Sequence, residues 1–351
     1  MIRGMRVLEF QLLQSCNARC IYCANEQGYP PHEGFLPLDL VERALAEIRP
    51  EWVWFEGGEV TATEAARHHL VEAMQIAGRL GVRNRINTNA QALSPKSCHA
   101  LRAAGLEFAC VSFDSLDPDH YCLLRGYPPE VGRRRLDELR RNAIALMDEG
   151  VTVDLEATLT RHNAGDLLDL YDYAESLATG GRNVLMGVQF LVATYEKLFD
   201  LYPEVDIMAR ALEGLLRRAE HGRIPVRICC SPLVPCMHPG LYQHANAIWL
   251  GCTCGFDYAH IHANGDVLLC GFWDHGRPLG NLHEQSFSEI WATSRMRREA
   301  LSVQPECCRG CASWEGKHRC HNSCMSVVHR KTGAFAERSY DLMVAAAAER
   351  Q

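Results

Sequence analysis

The 351-residue chain has no apolar run near the roughly 18–20 residues that a membrane span requires. It has no surplus of positive charge either: the formal net charge is −7. A nucleic-acid footprint needs a basic surface, so neither nucleic acid nor a membrane is an expected partner. The opening stretch MIRGMRVLEFQLLQS is too short and too polar for a secretory signal. These absences make a soluble, cytoplasmic protein the expectation. In that reducing compartment a disulfide framework is not expected.

Cysteine is sparse through the middle of the chain. Between Cys23 and Cys229 only Cys98, Cys110 and Cys122 occur, and these read as small buried hydrophobes. The remaining 14 of the 17 cysteines are crowded. Three sit in CNARCIYC at 16–23 and 11 lie between 229 and 324. Both crowds call for metal.

The first two-thirds alternates short apolar strands with amphipathic helices. Strands are expected at 6–12, 52–55, 83–89, 107–114, 151–159 and 183–192. Ser94 and Pro95 open one helix and Gly105 closes it. Six strand–helix repeats imply a parallel α/β sheet. In VTVDLEATL, Val151, Val153, Leu155, Ala157 and Leu159 share one face, while Thr152, Asp154, Glu156 and Thr158 share the other. A parallel strand covered on both faces would be apolar throughout. A curved sheet with helices outside and a polar, ligand-filled lumen fits better. Beyond 225 the pattern turns to Cys, Gly, His and Trp, a composition that needs metal to fold. The expected divisions are 1–225, 226–335 and a terminal helix at 336–351.

Cys16, Cys20 and Cys23 admit a zinc, redox-pair or iron–sulfur reading. Zinc sites usually carry a second cysteine pair nearby, and a redox pair needs only two thiols. Three thiolates on one loop can hold three irons of a cube and leave the fourth open to a chelating ligand. EGGE at 56–59 stands at the same end of strand two. Its glycines admit close backbone approach and Glu59 suits an ammonium group. A phosphate loop is the rival there, but the stretch is acidic and has no lysine.

The C-x3-C-x2-C loop after strand one, with Gly-Gly-Glu after strand two, resembles the radical S-adenosylmethionine (SAM) superfamily. The resemblance covers about residues 6–220 and implies a partial (β/α)6, TIM-like barrel. It implies a [4Fe–4S] cluster on Cys16, Cys20 and Cys23, with SAM chelating the open iron. Tyr22, Gly57, Gly58, Glu59, Asn87, Ser112, Arg125 and Glu156 are then the expected cofactor contacts. Glu156 and Ser112 are the catalytic candidates. NTN at 87–89, SFDS at 112–115 and Arg125–Gly126 look like further family stretches. Val60 departs from the proline common at its position.

The later crowd resembles the SPASM extension of that superfamily, which houses auxiliary [4Fe–4S] clusters in a small cysteine-rich domain. By analogy Cys254, Cys270 and Cys324, with Cys252 or Cys236, hold one cluster. Cys308, Cys311 and Cys320 hold part of a second, completed by Cys307, His321 or an open iron. Two departures stand out: eight residues separate Cys311 from Cys320, and no cysteine follows Cys324. One auxiliary cluster, with zinc in the remainder, is the rival. Cys229 and Cys230 read as core residues. His260 and His262 share a strand face, and GRRRLDELRR reads as a solvated helix face.

The resemblance implies reductive cleavage of SAM and hydrogen abstraction by a 5′-deoxyadenosyl radical. A flavodoxin or ferredoxin is the expected electron donor. The barrel starts within the first dozen residues, leaving no room before it for a leader-recognition domain. The expected substrate is therefore a small polar natural-product intermediate of sugar, aminocyclitol or nucleoside type. The alternative is a maturase of ribosomally made peptides that uses a separate recognition protein. A non-enzymatic metal-binding adaptor leaves the Gly-Gly-Glu loop without a purpose.

Overall fold

The computed structural model describes residues 5–23, 32–193, 196–273, 276–302 and 324–332. All six expected strands form: β1 (Val7–Gln11), β2 (Trp52–Glu56), β3 (Arg83–Thr88), β4 (Leu106–Ser112), β5 (Thr152–Leu159) and β6 (Val184–Phe190). They pair in sequence order, each parallel to the next. The connecting helices turn their apolar stripes to the outer sheet face. In α1 (Leu38–Ile48) the buried set is Leu40, Val41, Ala44, Leu45 and Ile48, the stripe its spacing predicts. Ser94 caps Pro95–Ala103 with a reciprocal box through Ser97, at the position expected from the sequence.

The sheet does not stop at residue 225. Strands β7 (Val226–Cys229) and β8 (Ala247–Leu250) extend it in parallel beyond β6. The chain then returns to the opposite edge. There β9 (Tyr258–Ile261) lies parallel to β1 and pairs antiparallel with β10 (Asp266–Leu268), which pairs with β11 (Gly280–Asn281). The 226–268 stretch is thus continuous with the barrel sheet. Its strands are only 3–4 residues long, too short to show a period in the sequence.

This order requires strong curvature. In a flat sheet β8 and β9 would stand about 38 Å apart, at about 4.8 Å per strand spacing. The eight Cα steps from Leu250 to Tyr258 reach at most about 28 Å. The sheet therefore curls until its two sides face one cavity. The alternation expected in β5 is present: Val153, Leu155, Ala157 and Leu159 are buried in the core, and Glu156 and Thr158 line the cavity. The expected terminal helix at 336–351 lies outside the described residues, as does the cysteine-rich segment from 303 to 323.

Candidate active site in the barrel lumen

The cysteine loop is fixed by the loop after β2. Gly58 N donates to Leu13 O at 2.7 Å and Glu59 N donates to Ser15 O at 2.9 Å, just ahead of Cys16. A Cβ on Gly57 would lie 2.5 Å from Leu13 O, and one on Gly58 would lie 2.2 Å from Gln14 O. Only glycine lets the two loops approach this closely. The Glu59 side chain is buried and saturated by protein donors. Its Oε1 accepts from Thr61 N at 2.9 Å, Thr61 Oγ1 at 2.6 Å and Thr88 Oγ1 at 2.6 Å; its Oε2 accepts from Asn89 N at 2.6 Å. Glu59 ties β2 to β3, which leaves the backbone of this loop as the surface it offers a ligand.

Arg125, expected as a cofactor contact, lies behind the same loop. It pairs with Asp114 (Nε to Oδ2, 2.8 Å), donates to Ser112 O at 2.6 Å and reaches Cys20 Sγ at 3.5 Å. Tyr22 donates its hydroxyl to Asp114 Oδ2 at 2.6 Å. The guanidinium thus supplies positive charge beside the Cys20 thiol and braces the loop.

The lumen encloses about 380 Å³. Its charged residues come from β1, β2, β3, β5 and β7, one from each. Arg227 of β7 pairs with both Asp154 and Glu156 of β5, across Gly187 of β6. Arg85 of β3 lies over the Trp54 ring at 3.9 Å. On the opposite wall Glu9 accepts hydrogen bonds from Tyr258 and from His260 Nδ1, the latter at 3.0 Å. Glu56 lies 3.7 Å from the same imidazole nitrogen and accepts from Asn87 Nδ2 at 3.0 Å. Burial, together with the neighbouring Glu9, pushes the Glu56 carboxyl up to about 8, and burial raises Glu9 as well. This carboxyl pair holds a proton near neutral pH.

A second group of thiols lines the far part of the cavity. Cys252, Cys254, Cys270 and Cys324 share this wall. Hydrogen bonds with Cys252 and Cys270, and then burial, hold the Cys254 thiol well above the usual range. Of the two expected alternatives, Cys252 lines the cavity, whereas Cys236 is exposed and does not.

Two family models match in these regions. The radical SAM superfamily model covers residues 11–174 and the iron–sulfur cluster-binding SPASM model covers 252–312. The chain carries a radical SAM domain and a SPASM domain. An AdoMet-dependent heme synthase of Methanosarcina barkeri is 24% identical, with 96% of each chain covered. A PqqA peptide cyclase of Xanthomonas oryzae pv. oryzae is 26% identical, covering 97% of this chain and 90% of the relative. Streptococcus suis SuiB bound to precursor peptide SuiA shares the fold at a TM-score of 0.75 and 17% identity, covering 95% of this chain and 75% of SuiB. AdoMet-bound anSMEcpe shares it at 0.69 and 15%, covering 98% and 96%.

The residues present suit the [4Fe–4S] clusters and SAM of this family. Burial and the nearby Glu59, Cys20 and Cys23 push the Cys16 thiol up to about 12, and burial raises Cys20. Thiols raised in this way ionise only against a strong local positive charge. Among the described residues, the three-ligand sets drawn within 4.8 Å are Glu9–Glu56–His260 and Cys110–Asp154–Glu156.

Of the other expected site residues, Tyr22, Asn87, Ser112 and Glu156 line the cavity, and Glu156 is already paired with Arg227. Cys307, Cys308, Cys311, Cys320 and His321 lie outside the described residues. Sequence reasoning missed Glu9, Glu56, Arg85 and Arg227. Glu9 and Arg227 are the single charges of VLEFQ and VRIC, a signal like that of Asp154 and Glu156 in β5, whereas Glu56 ends WVWFE and Arg85 sits in the polar strand RNRINT. Among the described residues no helix is long and apolar enough to cross a membrane.

Proposed function

We propose that the enzyme oxidatively modifies a side chain of a peptide held in this lumen. Cys16, Cys20 and Cys23 hold the first cluster, and the backbone of Gly57 and Gly58 receives the SAM ammonium. Cys252, Cys254, Cys270 and Cys324 hold an auxiliary cluster. When bound, these groups supply a 5′-deoxyadenosyl radical and an acceptor for one electron, with a flavodoxin- or ferredoxin-type carrier as donor. The chain's own residues position the substrate and manage the proton. Glu9 and Glu56, backed by His260 and Tyr258, receive a proton from the oxidised group. Trp54 and Tyr258, in edge contact at 5.7 Å, exclude water beside them.

The observation that carries the reading is the charge pattern of the lumen. Glu9, Glu56 and Glu156 face the cavity, while Arg227 is committed to Asp154 and Glu156 and Arg85 is stacked on Trp54. Both guanidiniums of the lumen are thus already engaged by protein groups, while its carboxyl oxygens remain to accept from amide and ammonium groups. Full-length similarity to peptide cyclases supports the same choice. The peptide reading therefore stands ahead of the sugar, aminocyclitol or nucleoside expected from the sequence.

The test is anaerobic turnover with SAM, reductant and short peptides encoded beside the gene. The reading predicts 5′-deoxyadenosine together with a peptide that has lost hydrogen, detected by mass spectrometry. Unchanged peptides, with turnover of an amino sugar or nucleoside instead, would contradict it.

A further inference from the structure

Arg125 and Asp114 form an ion pair that is almost fully buried, with side chains 4% and 0% exposed. Neither residue lines the lumen, so neither meets a substrate there. Taking both charges out of water is costly, and holding the cysteine loop does not require them. The backbone already does so: Arg19 N donates to Arg125 O at 3.2 Å and Ile21 N donates to Leu124 O at 3.0 Å. These bonds tie the loop to the end of the helix Pro118–Arg125. Gly126 permits the close approach, since a Cβ there would lie 2.3 Å from Arg19 O.

The guanidinium is fixed in one orientation. Nε pairs with Asp114 Oδ2 at 2.8 Å and Nη2 donates to Ser112 O at 2.6 Å, which puts Nη1 on the Cys20 sulfur at 3.5 Å. Asp114 is fixed in turn. Its Oδ2 also accepts from the Tyr22 hydroxyl at 2.6 Å, and its Oδ1 accepts from Thr158 N at 3.0 Å. At Cys20 the attraction of Arg125 outweighs the opposing charge of Asp114. Cys16 is placed differently: its sulfur accepts from Ala18 N at 3.4 Å, and the nearby Glu59 adds negative charge. Hydrogen bonds to the sulfurs and nearby charge are what tune the potential of an iron–sulfur cluster. An N–H on sulfur, backed by positive charge, favours the state with the added electron.

We propose that Arg125 sets the reduction potential of the first cluster through the Cys20 sulfur, raising it into the reach of a flavodoxin- or ferredoxin-type carrier. Arg125 is then a positioning residue for one electron, passed from the carrier to the cluster. This rests on the assignment of that cluster to Cys16, Cys20 and Cys23.

The test is a redox titration of the anaerobically reconstituted full chain, followed by electron paramagnetic resonance and needing no substrate. The signal whose g-values move when SAM is added reports the first cluster. Arg125→Met is expected to lower its midpoint potential. One charge-assisted hydrogen bond corresponds to about a tenfold fall in the reduced-to-oxidised ratio at a fixed potential, or about 59 mV for one electron. Arg125→Met/Asp114→Asn leaves no stranded carboxylate and controls for misfolding. Its midpoint is expected between those of the single variant and the wild type, with iron and sulfide content unchanged. A midpoint in the double variant equal to or above the wild type overturns the proposal, because any fall in the single variant then comes from Asp114 alone. An unchanged midpoint in Arg125→Met overturns it too. So does a double variant that cannot hold the first cluster, which would make Arg125 a structural brace. Cys20→Ala separates the underlying assignment: a SAM-responsive signal identical to the wild type there would sink the ligand set itself.

Discussion

Arg227 is ion-paired with Glu156 inside the lumen, and Gly187 is the residue that lets them meet. A Cβ at 187 would stand 2.6 Å from Asp154 Oδ1 and 3.1 Å from Arg227 Nη2. Removing the guanidinium would strand the buried Asp154 carboxylate and the half-buried Glu156, a change that costs about 3–5 kcal/mol. Arg227→Met is therefore expected to lower stability by roughly that amount in urea unfolding. Adding Asp154→Asn and Glu156→Gln is expected to restore much of it. Gly187→Ala should destabilise by about 1–3 kcal/mol through overpacking alone.

Glu59 gives a second expectation, which separates two roles for the same residue. Its carboxylate accepts four protein hydrogen bonds, so Glu59→Gln would place an amide donor among donors. Melting temperature and SAM affinity, measured by equilibrium dialysis, should fall together. A direct ammonium contact would instead reduce affinity while leaving the melting temperature unchanged.

The barrel was legible in the sequence because strands such as VTVDLEATL carry the two-residue period and their helices carry the apolar stripe. The cysteine loop and the Gly-Gly-Glu loop were legible as motifs, and the structure adds why the glycines are needed. The extension of the sheet was not legible, since VRIC, AIWL and YAHI are too short to display a period. A motif gives Arg125 a position and not a partner; the structure supplies the partner, Asp114. Glu9 and Glu56 were hidden for another reason. Each sits in a different strand, and only the curled sheet brings them to one imidazole.

That carboxyl pair makes stability depend on pH. The Glu56 carboxyl rises from 4.5 to about 8 through burial and the adjacent Glu9, offset by His260 and Asn87. The folded chain then holds more protons than the unfolded chain across this window. Stability is expected to fall as pH rises from about 4.5 to about 8. Glu56→Gln should flatten that part of the melting-temperature profile. In the wild type an infrared carboxylic acid band should persist at pH 7 and disappear in the variant.

The central claim is that Cys16, Cys20 and Cys23 carry the radical chemistry and the later cysteines form a separate centre. The most direct measurement pairs 5′-deoxyadenosine formation with iron content in the wild type and in Cys16→Ala/Cys20→Ala/Cys23→Ala. The account predicts 5′-deoxyadenosine from the wild type under anaerobic reduction with SAM. It predicts none from the triple variant, which still retains about four irons or more in its auxiliary site. Continued 5′-deoxyadenosine formation by the triple variant, or loss of all its iron, would contradict it.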